Sequence, residues 1–161
     1  MLTVRQFKSA DAPRLWQLKY RTIRTVNTVD YTQAQVEAWA PDEVAPDNWP
    51  LRAETMAPLV AELDGQVVGY ADVQNDGYID HFFCDAQRQG QGIGKALMLG
   101  LFEAGKAKGV TRFYSHVSIT AKPFFAHFGF DVVKAQEVEI RGQVLSNYIM
   151  EKKVAVGMPN S

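Results

Sequence analysis

A chain of 161 residues suits one domain built around one core. Its 17 basic residues nearly cancel its 18 acidic ones, so at a formal net charge of -1 no overall field draws it to nucleic acid or to an acidic membrane. Cys84 is the single cysteine, which excludes an intramolecular disulfide and fits a reducing compartment. The opening MLTVRQFKSADAP lacks a basic region followed by an apolar one, so no signal peptide is expected. No apolar run approaches the ~20 residues that span a bilayer. The expectation is a cytoplasmic protein with no membrane and no nucleic-acid partner.

LTVRQFKSAD reads as a first strand. Ser9 or Asp11 can cap the helix that follows, with Pro13 in its first turn and Leu15, Trp16, Leu18, Tyr20 and Ile23 on and around its apolar face. YTQAQVEAWAP predicts a second, short helix, capped by Thr32 and stopped by Pro41. Prolines at 41, 46, 50 and 58 then predict loop and short turns rather than a regular element. Asp64-Gly65 and Asn75-Asp76-Gly77 signal tight turns joining three strands, about 59–63, 66–74 and 78–84, in an antiparallel meander. A helix to about Lys108 comes next, with Gly109 as its stop. TRFYSHVS is a strand, AKPFFAHFGF a short helix ending at Gly129, and DVVKAQEVEIRGQVLSNYIMEKK two strands joined at Arg141-Gly142. The order is β α α β β β α β α β β, one mixed α+β domain over 1–153, with 154–161 a disordered tail.

Gly90, Gly92 and Gly94 alternate directly before the longest helical pattern. The first amides of a helix have no partners within it, and the helix dipole adds partial positive charge there. Glycine removes the side chains that would hold an anion away, and Lys95 adds charge, so the turn is suited to a phosphate. A Walker A loop fails twice, because Gln89 stands where its first glycine belongs and Ala96 where it needs Ser or Thr. G-x-G-x-x-G fails too, ending on Lys95 or Leu97. The bland alternative is a flexible helix lead-in, but three alternating glycines cost backbone entropy that a mere connector has no reason to spend.

A third pattern, Q-x-x-G-x-G, fits Gln89-Gly90-Gln91-Gly92-Ile93-Gly94, preceded by Arg88. Here the chain resembles the GNAT superfamily of acyl-CoA-dependent N-acetyltransferases. Downstream, SITAKPFFAHFGF is similar to that family's second motif at Ala121, Phe124, Gly129 and Phe130. YTQAQVEAWAP and VEIRGQVLSNYIMEK resemble a bacterial subgroup of small, uncharacterised members. The resemblance covers roughly 1–153 and implies a mixed, mostly antiparallel sheet flanked by helices. It implies acetyl-CoA as co-substrate, its pyrophosphate on the amides of Gly90 to Lys95 with Arg88 and Gln89 beside them. It also implies further coenzyme contacts from Ser118, Ala121, Phe124 and Phe125, and a backbone amide at Phe83 or Cys84 donating to the thioester oxygen. Two positions depart from the pattern. Ser118 replaces the usual Asn and keeps a hydrogen-bonding group, whereas Phe125 stands where a proton-donating Tyr is common.

Direct transfer to an amine needs a proton acceptor, since a lysine-like amine of pKa ~10.4 is almost fully protonated at neutral pH. Asp80 is the first choice for this base, with a solvated strand carboxylate as the bland alternative. Strand alternation would put Tyr78, Asp80 and Phe82 on one face and Ile79, His81 and Phe83 on the other, unless a bulge breaks the parity. His81 and His116 are further candidates, though a strand histidine is more often structural. Tyr78 is placed to bind substrate or act through water, and His127 to pack or face solvent. Tyr31, Trp39 and Trp49 fall in the region that the resemblance assigns to the acceptor, with core packing the alternative for at least one tryptophan. Cys84 reads as a small buried residue rather than a nucleophile. The histidines and cysteine lack ligand spacing, so no metal is expected. The rival to an N-acetyltransferase is a non-catalytic acyl-CoA-binding or sensing module on the same fold, to which Phe125 lends weight. By analogy, the last hairpin is where a homodimer would form.

Overall fold

The computed structural model describes residues 1–155. Strand β1 (Leu2–Gln6) leads into helix α1 (Ala12–Thr25), which begins with Pro13 in its first turn. Neither expected side chain caps it. Asp11 accepts the Lys8 amide (2.8 Å) and pairs with Arg5 (2.8 Å), while the Ser9 hydroxyl donates to Glu54. Helix α2 (Gln33–Trp39) starts at Thr32 in a reciprocal capping box with Gln35. The proline-rich stretch is a correction to the expected loop, because it contains helix α3 (Trp49–Met56). Pro50 sits in its first turn, where no amide is needed, and Pro58 follows a left-handed Ala57 that ends it.

Strands β2 (Leu59–Leu63), β3 (Gln66–Ala71), β4 (Tyr78–Ile79) and β5 (Phe82–Cys84) precede helix α4 (Ile93–Ala107). Strand β6 (Arg112–Ser118), helix α5 (Lys122–His127) and strands β7 (Asp131–Ile140) and β8 (Gln143–Lys153) complete the fold. The strands form two four-stranded sheets, ordered β1-β2-β3-β5 and β4-β6-β8-β7. Pairing is antiparallel except between β4 and β6. Helix α4 ties the sheets together: Ile93, Leu97, Met98, Leu101 and Phe102 pack against Ala61 and Val68 of one and Phe113 and Met150 of the other. Helices α1 and α3 cover the first sheet's opposite face through Leu15, Leu18 and Trp49, against Val60 and Tyr70. Each fully buried leucine among these contributes roughly 1.5–3 kcal/mol. Among the described residues no helix is long and apolar enough to cross a membrane. The tail expected from residue 154 begins with Val154 bonded to the Thr111 carbonyl (2.8 Å); residues 156–161 lie outside the described residues.

The strand expected over 78–84 is two strands, and the one expected over 66–74 stops at Ala71. Strand β4 pairs with β6 (Tyr78↔Tyr114, Ile79↔Ser115), whereas β5 pairs with β3 (Gly69↔Cys84, Ala71↔Phe82). The cause is Asp72, which is buried at the end of the VVGYAD run. Its Oδ1 accepts the amides of both Asp80 (2.9 Å) and His81 (2.8 Å), while its own amide bonds the His81 carbonyl (3.1 Å). Two residues thus oppose one, which is a bulge. Parity changes across it. Ile79, Phe82 and Cys84 all pack on the α4 side, and His81 and Phe83 stack on Tyr70 beneath α1 and α3. Strand β5 then diverges from β6, and a wedge opens between the two sheets. Gly77 fixes the turn that delivers β4 to β6. It has φ +94°, and a Cβ there would lie 1.8 Å from the Arg112 carbonyl oxygen.

Burial pushes the Asp72 carboxyl up to about 6. Its folded pKa lies above the unfolded value of 3.8, so its contribution to stability is full only below that value and is lost as pH rises from there through 6. Asp72→Asn keeps the accepting oxygen without the charge. We expect its melting temperature to gain on wild type between pH 4 and pH 7, followed by calorimetry. Asp72→Ala strands the buried His81 amide and the part-buried Asp80 amide and is expected to cost about 2 kcal/mol in urea unfolding.

Candidate active site

The chain leaves β5 tied by several anchors. The Thr22 hydroxyl donates to the Cys84 carbonyl (2.7 Å), Arg14 pairs with Asp85 (2.9 Å), and Asp85 caps the next turn through the Gln87 amide (2.9 Å). The Gln89 side chain reaches back to the carbonyls of Cys84 and Asp85. Beyond these ties the backbone turns left-handed at Gly90 (φ +80°) and again at Gly92 (φ +81°), the N-cap of α4. No side chain caps this helix, so its first amides have no side-chain partner, and a Cβ at either glycine would meet nothing within 4 Å. Gly94 is small for another reason: a Cβ there would lie 2.9 Å from the Phe124 ring.

These amides rim a cavity of about 500 Å³ that runs into the wedge between β5 and β6. Phe82, Val117 and Phe124 make its walls apolar, and Arg88 and Lys95 stand at its glycine end. Among the residues the sequence assigned to the coenzyme, Gln91 is exposed and does not line it; the others do. His127, expected to pack or face solvent, also lines it. The Arg88 guanidinium is partly committed to Gln66 (3.0 Å). Phe125 is buried between Phe82 (ring centroids 5.7 Å apart) and Phe130 (5.1 Å). Thr120, absent from the sequence reading, lines the cavity with a hydroxyl that has no hydrogen-bond partner in the protein.

Register decides which strand amide faces this cavity. The Asp85 amide bonds the Val68 carbonyl (2.8 Å) and the Asp72 amide bonds that of His81 (3.1 Å). Alternation then directs the Phe83 amide, opposite Tyr70, toward β3 as well, and turns those of Phe82 and Cys84 outward. Of the two expected donors, Cys84 therefore faces the wedge with its amide. Burial, with Asp85 nearby, pushes its thiol up to about 12, which removes the thiolate a nucleophile would need.

A second cavity, about 210 Å³, adjoins the first and is lined by Lys19, Tyr78, Asp80 and Asn147 among others. The two share Trp39, Asp80, Phe83, His116 and Ser118. Asp80 is exposed to both, with the Tyr78 hydroxyl 3.5 Å away. Burial first, then Asp80, pushes that phenol up to about 12, so it stays protonated near neutrality. His116 packs edge-on against the Tyr78 ring. His81 is buried, with Nδ1 3.0 Å from the Tyr70 hydroxyl, and desolvation lowers it to about 4. It is therefore a neutral wall residue at pH 7, which corrects its candidacy as a titrating group.

Tyr31 is also a wall residue. Its hydroxyl donates to the Ser146 carbonyl (2.6 Å) and accepts the Ile119 amide (2.9 Å). Trp49 lines neither cavity, which corrects its assignment to the acceptor: it is 1% exposed, in the core, and its indole donates to the Ala12 carbonyl (2.7 Å). Lys19, which lines the smaller cavity, and Asp72, which lines neither but fixes the Asp80 and His81 backbone, were missed. Asp72 had a signal, a carboxylate inside an apolar run; Lys19 had none, since a lysine on a helix reads as a solvated one. Among the described residues no group of three or more His, Cys, Asp or Glu is placed to hold a metal.

Residues 27–152 match the family described as the acetyltransferase (GNAT) domain. The Escherichia coli K12 protein YafP, named an uncharacterized N-acetyltransferase, is 30% identical over 152 residues, covering 94% of this chain and 96% of its own. The crystal structure of a GCN5-related N-acetyltransferase from Rhodopseudomonas palustris superposes with TM-score 0.87 at 27% identity, covering 94% of this chain and 95% of that one. YncA of Salmonella typhimurium, solved with its cofactor acetyl-CoA, shares the fold at TM-score 0.73 and 18% identity, over 100% of this chain and 98% of its own. On the family match over most of its length, the chain belongs to the GNAT family of acetyltransferases.

Proposed function

We propose that the protein moves an acetyl group from acetyl-CoA directly to a primary amine within one ternary complex. The observation that carries this is the junction of the two cavities, where Asp80 and His116 line both. A donor in the larger cavity and an amine in the smaller meet there without an intermediate carrier. The uncapped glycine turn suits the pyrophosphate, and the acetyl-CoA bound by YncA on the same fold supports the same donor here. Phe124 and the neighbouring apolar wall suit the pantetheine arm, with Ser118 and Thr120 as polar contacts along it.

The chemistry follows from these groups. The amine nitrogen attacks the thioester carbon, and the carbonyl oxygen gains charge against the outward Cys84 amide. The C–S bond then breaks and the coenzyme leaves as thiolate. The proton from the amine goes to Asp80, directly or through water near His116 and Tyr78. Phe125 donates nothing, so the thiolate takes its proton from solvent, which a thiol of pKa about 8.5 permits. The buried Phe125 is also the observation that favours the second reading, an acyl-CoA-binding module without turnover. A homodimer through the β7–β8 hairpin is supported by Val132, Val133 and Val144, which that hairpin exposes.

Two measurements test the first reading. Gly92→Glu places a carboxylate at the helix start, and calorimetric titration is expected to show acetyl-CoA affinity falling at least about 100-fold in a variant whose circular dichroism is unchanged. Wild-type protein that binds no acyl-CoA would sink the assignment. Asp80→Asn is expected to lower kcat by about 100-fold at pH 7 and to recover as pH rises toward the amine's own pKa of ~10, where the acceptor arrives neutral. Binding without turnover of any amine would favour the module instead.

A further inference from the structure

The smaller cavity carries a charge pattern that its role as a generic amine site leaves unused. Lys19 reaches it from α1, half-buried, with its ammonium 5.2 Å from the Trp16 ring centroid. Among the described residues no carboxylate pairs with it. Its charged neighbours are Arg52 and Arg141, of the same sign, and Asp80. Burial first, then Arg52, holds its pKa below the ordinary lysine range. A desolvated cation among cations is stabilised by an arriving anion.

Asp80 is the mirror case. Its near neighbours are the neutral His81, at 3.6 Å, and the protonated Tyr78, and among the described residues no lysine or arginine forms an ion pair with it. Asn147 lines the same cavity, and its Oδ1 is buried without a hydrogen-bond partner. Lys19 and Asp80 therefore face one small space without pairing across it. The space is about 210 Å³, roughly seven waters at ~30 Å³ each. Trp39, Ile140 and Leu145 line it with apolar surface.

We infer that the acceptor is a zwitterion of the amino-acid class with an apolar side chain. Lys19 meets its carboxylate, and Asp80 with Asn147 meets its amine. The inference rests on the acetyltransferase reading above and names the substrate class for that same site. A ligand carrying both charges a few atoms apart neutralises both unpaired groups at once. An amine without a carboxylate leaves the half-buried Lys19 with the Trp16 ring and no anion paired to it.

The test is acetyl-CoA-dependent thiol release with the twenty standard L-amino acids and their carboxamides, beside calorimetry with acetyl-CoA. We expect at least one apolar amino acid to exceed its carboxamide in kcat/KM by about tenfold to a hundredfold. Lys19→Met, which keeps the apolar stem over Trp16, is expected to bring that ratio toward one, and Lys19→Arg to retain most of it. The inference is overturned if carboxamides serve as well as the acids, if no amino acid is acetylated, or if Lys19→Met leaves the ratio unchanged. Should carboxamides alone be acetylated, the transferase reading survives and this one falls. Should acetyl-CoA not bind at all, both fall together.

Discussion

One carboxylate oxygen holding two consecutive amides is the constraint on which the rest of this molecule depends. A continuous strand from Tyr78 to Cys84 would keep one set of neighbours and one parity. Asp72 prevents this by taking the amides of Asp80 and His81 for itself. The chain steps sideways between them, so β4 belongs to one sheet and β5 to the other. The Ser115 hydroxyl fastens the near side of the step to the Ile79 carbonyl (2.7 Å), and the ladder with β3 fastens the far side. From this follow the wedge, the outward Cys84 amide and the exposed position of Asp80. Burying a carboxylate whose second oxygen has no partner is costly, and the two amides offset it only in part. The cost is carried where the geometry of the site is decided, as functional strain often is.

Around that step the polar bonds fasten the movable pieces to the scaffold. Arg24 donates to the Ala40 carbonyl (2.8 Å) and Arg141 to that of Ala38 (2.7 Å), both at the C-terminal end of α2. Cations there satisfy carbonyls that have no intrahelical partner and complement the dipole. The effect is to hold Trp39 where the two cavities join. At the other end of the wedge, Arg14 and Thr22 secure the approach to the glycine turn from α1. The same helix presents Lys19 to the smaller cavity, so one element helps shape both cavities.

Much of this was legible in the residues. Thr32 as a cap and Pro41 as a stop announced α2, Asp64-Gly65 and Arg141-Gly142 announced their turns, and the spacing of Gly90, Gly92 and Gly94 announced an open helix start. These are local rules, and local sequence suffices for them. Helix α3 was hidden because four prolines read as breakers, although Pro50 and Pro58 occupy the two places a helix tolerates them. A bulge in the 78–84 strand was allowed for, but its place and cause were hidden because it is made by a residue eight positions before Asp80, through side-chain bonds that no periodicity records. Trp49 looked available because aromatics near a loop look available; its burial is set by Leu15 and Val60, distant in sequence. Lys19 carries no motif, and its meaning comes from which charges are missing around it.

The shared wall between the two cavities has a consequence for selectivity. Because Trp39, Asp80, Phe83, His116 and Ser118 border both spaces, the proposed placement would set the end of an acyl chain against the body of the acceptor. On that proposal the two substrates would draw on neighbouring room behind one wall. Each methylene added to the donor's acyl group would advance toward the space that the acceptor's side chain fills. Discrimination between acyl groups would then need no gate of its own: a bulky amine would enforce a short acyl chain, and a small one would relax that limit. Selectivity for the donor would be, in that arrangement, a property of whichever acceptor is bound.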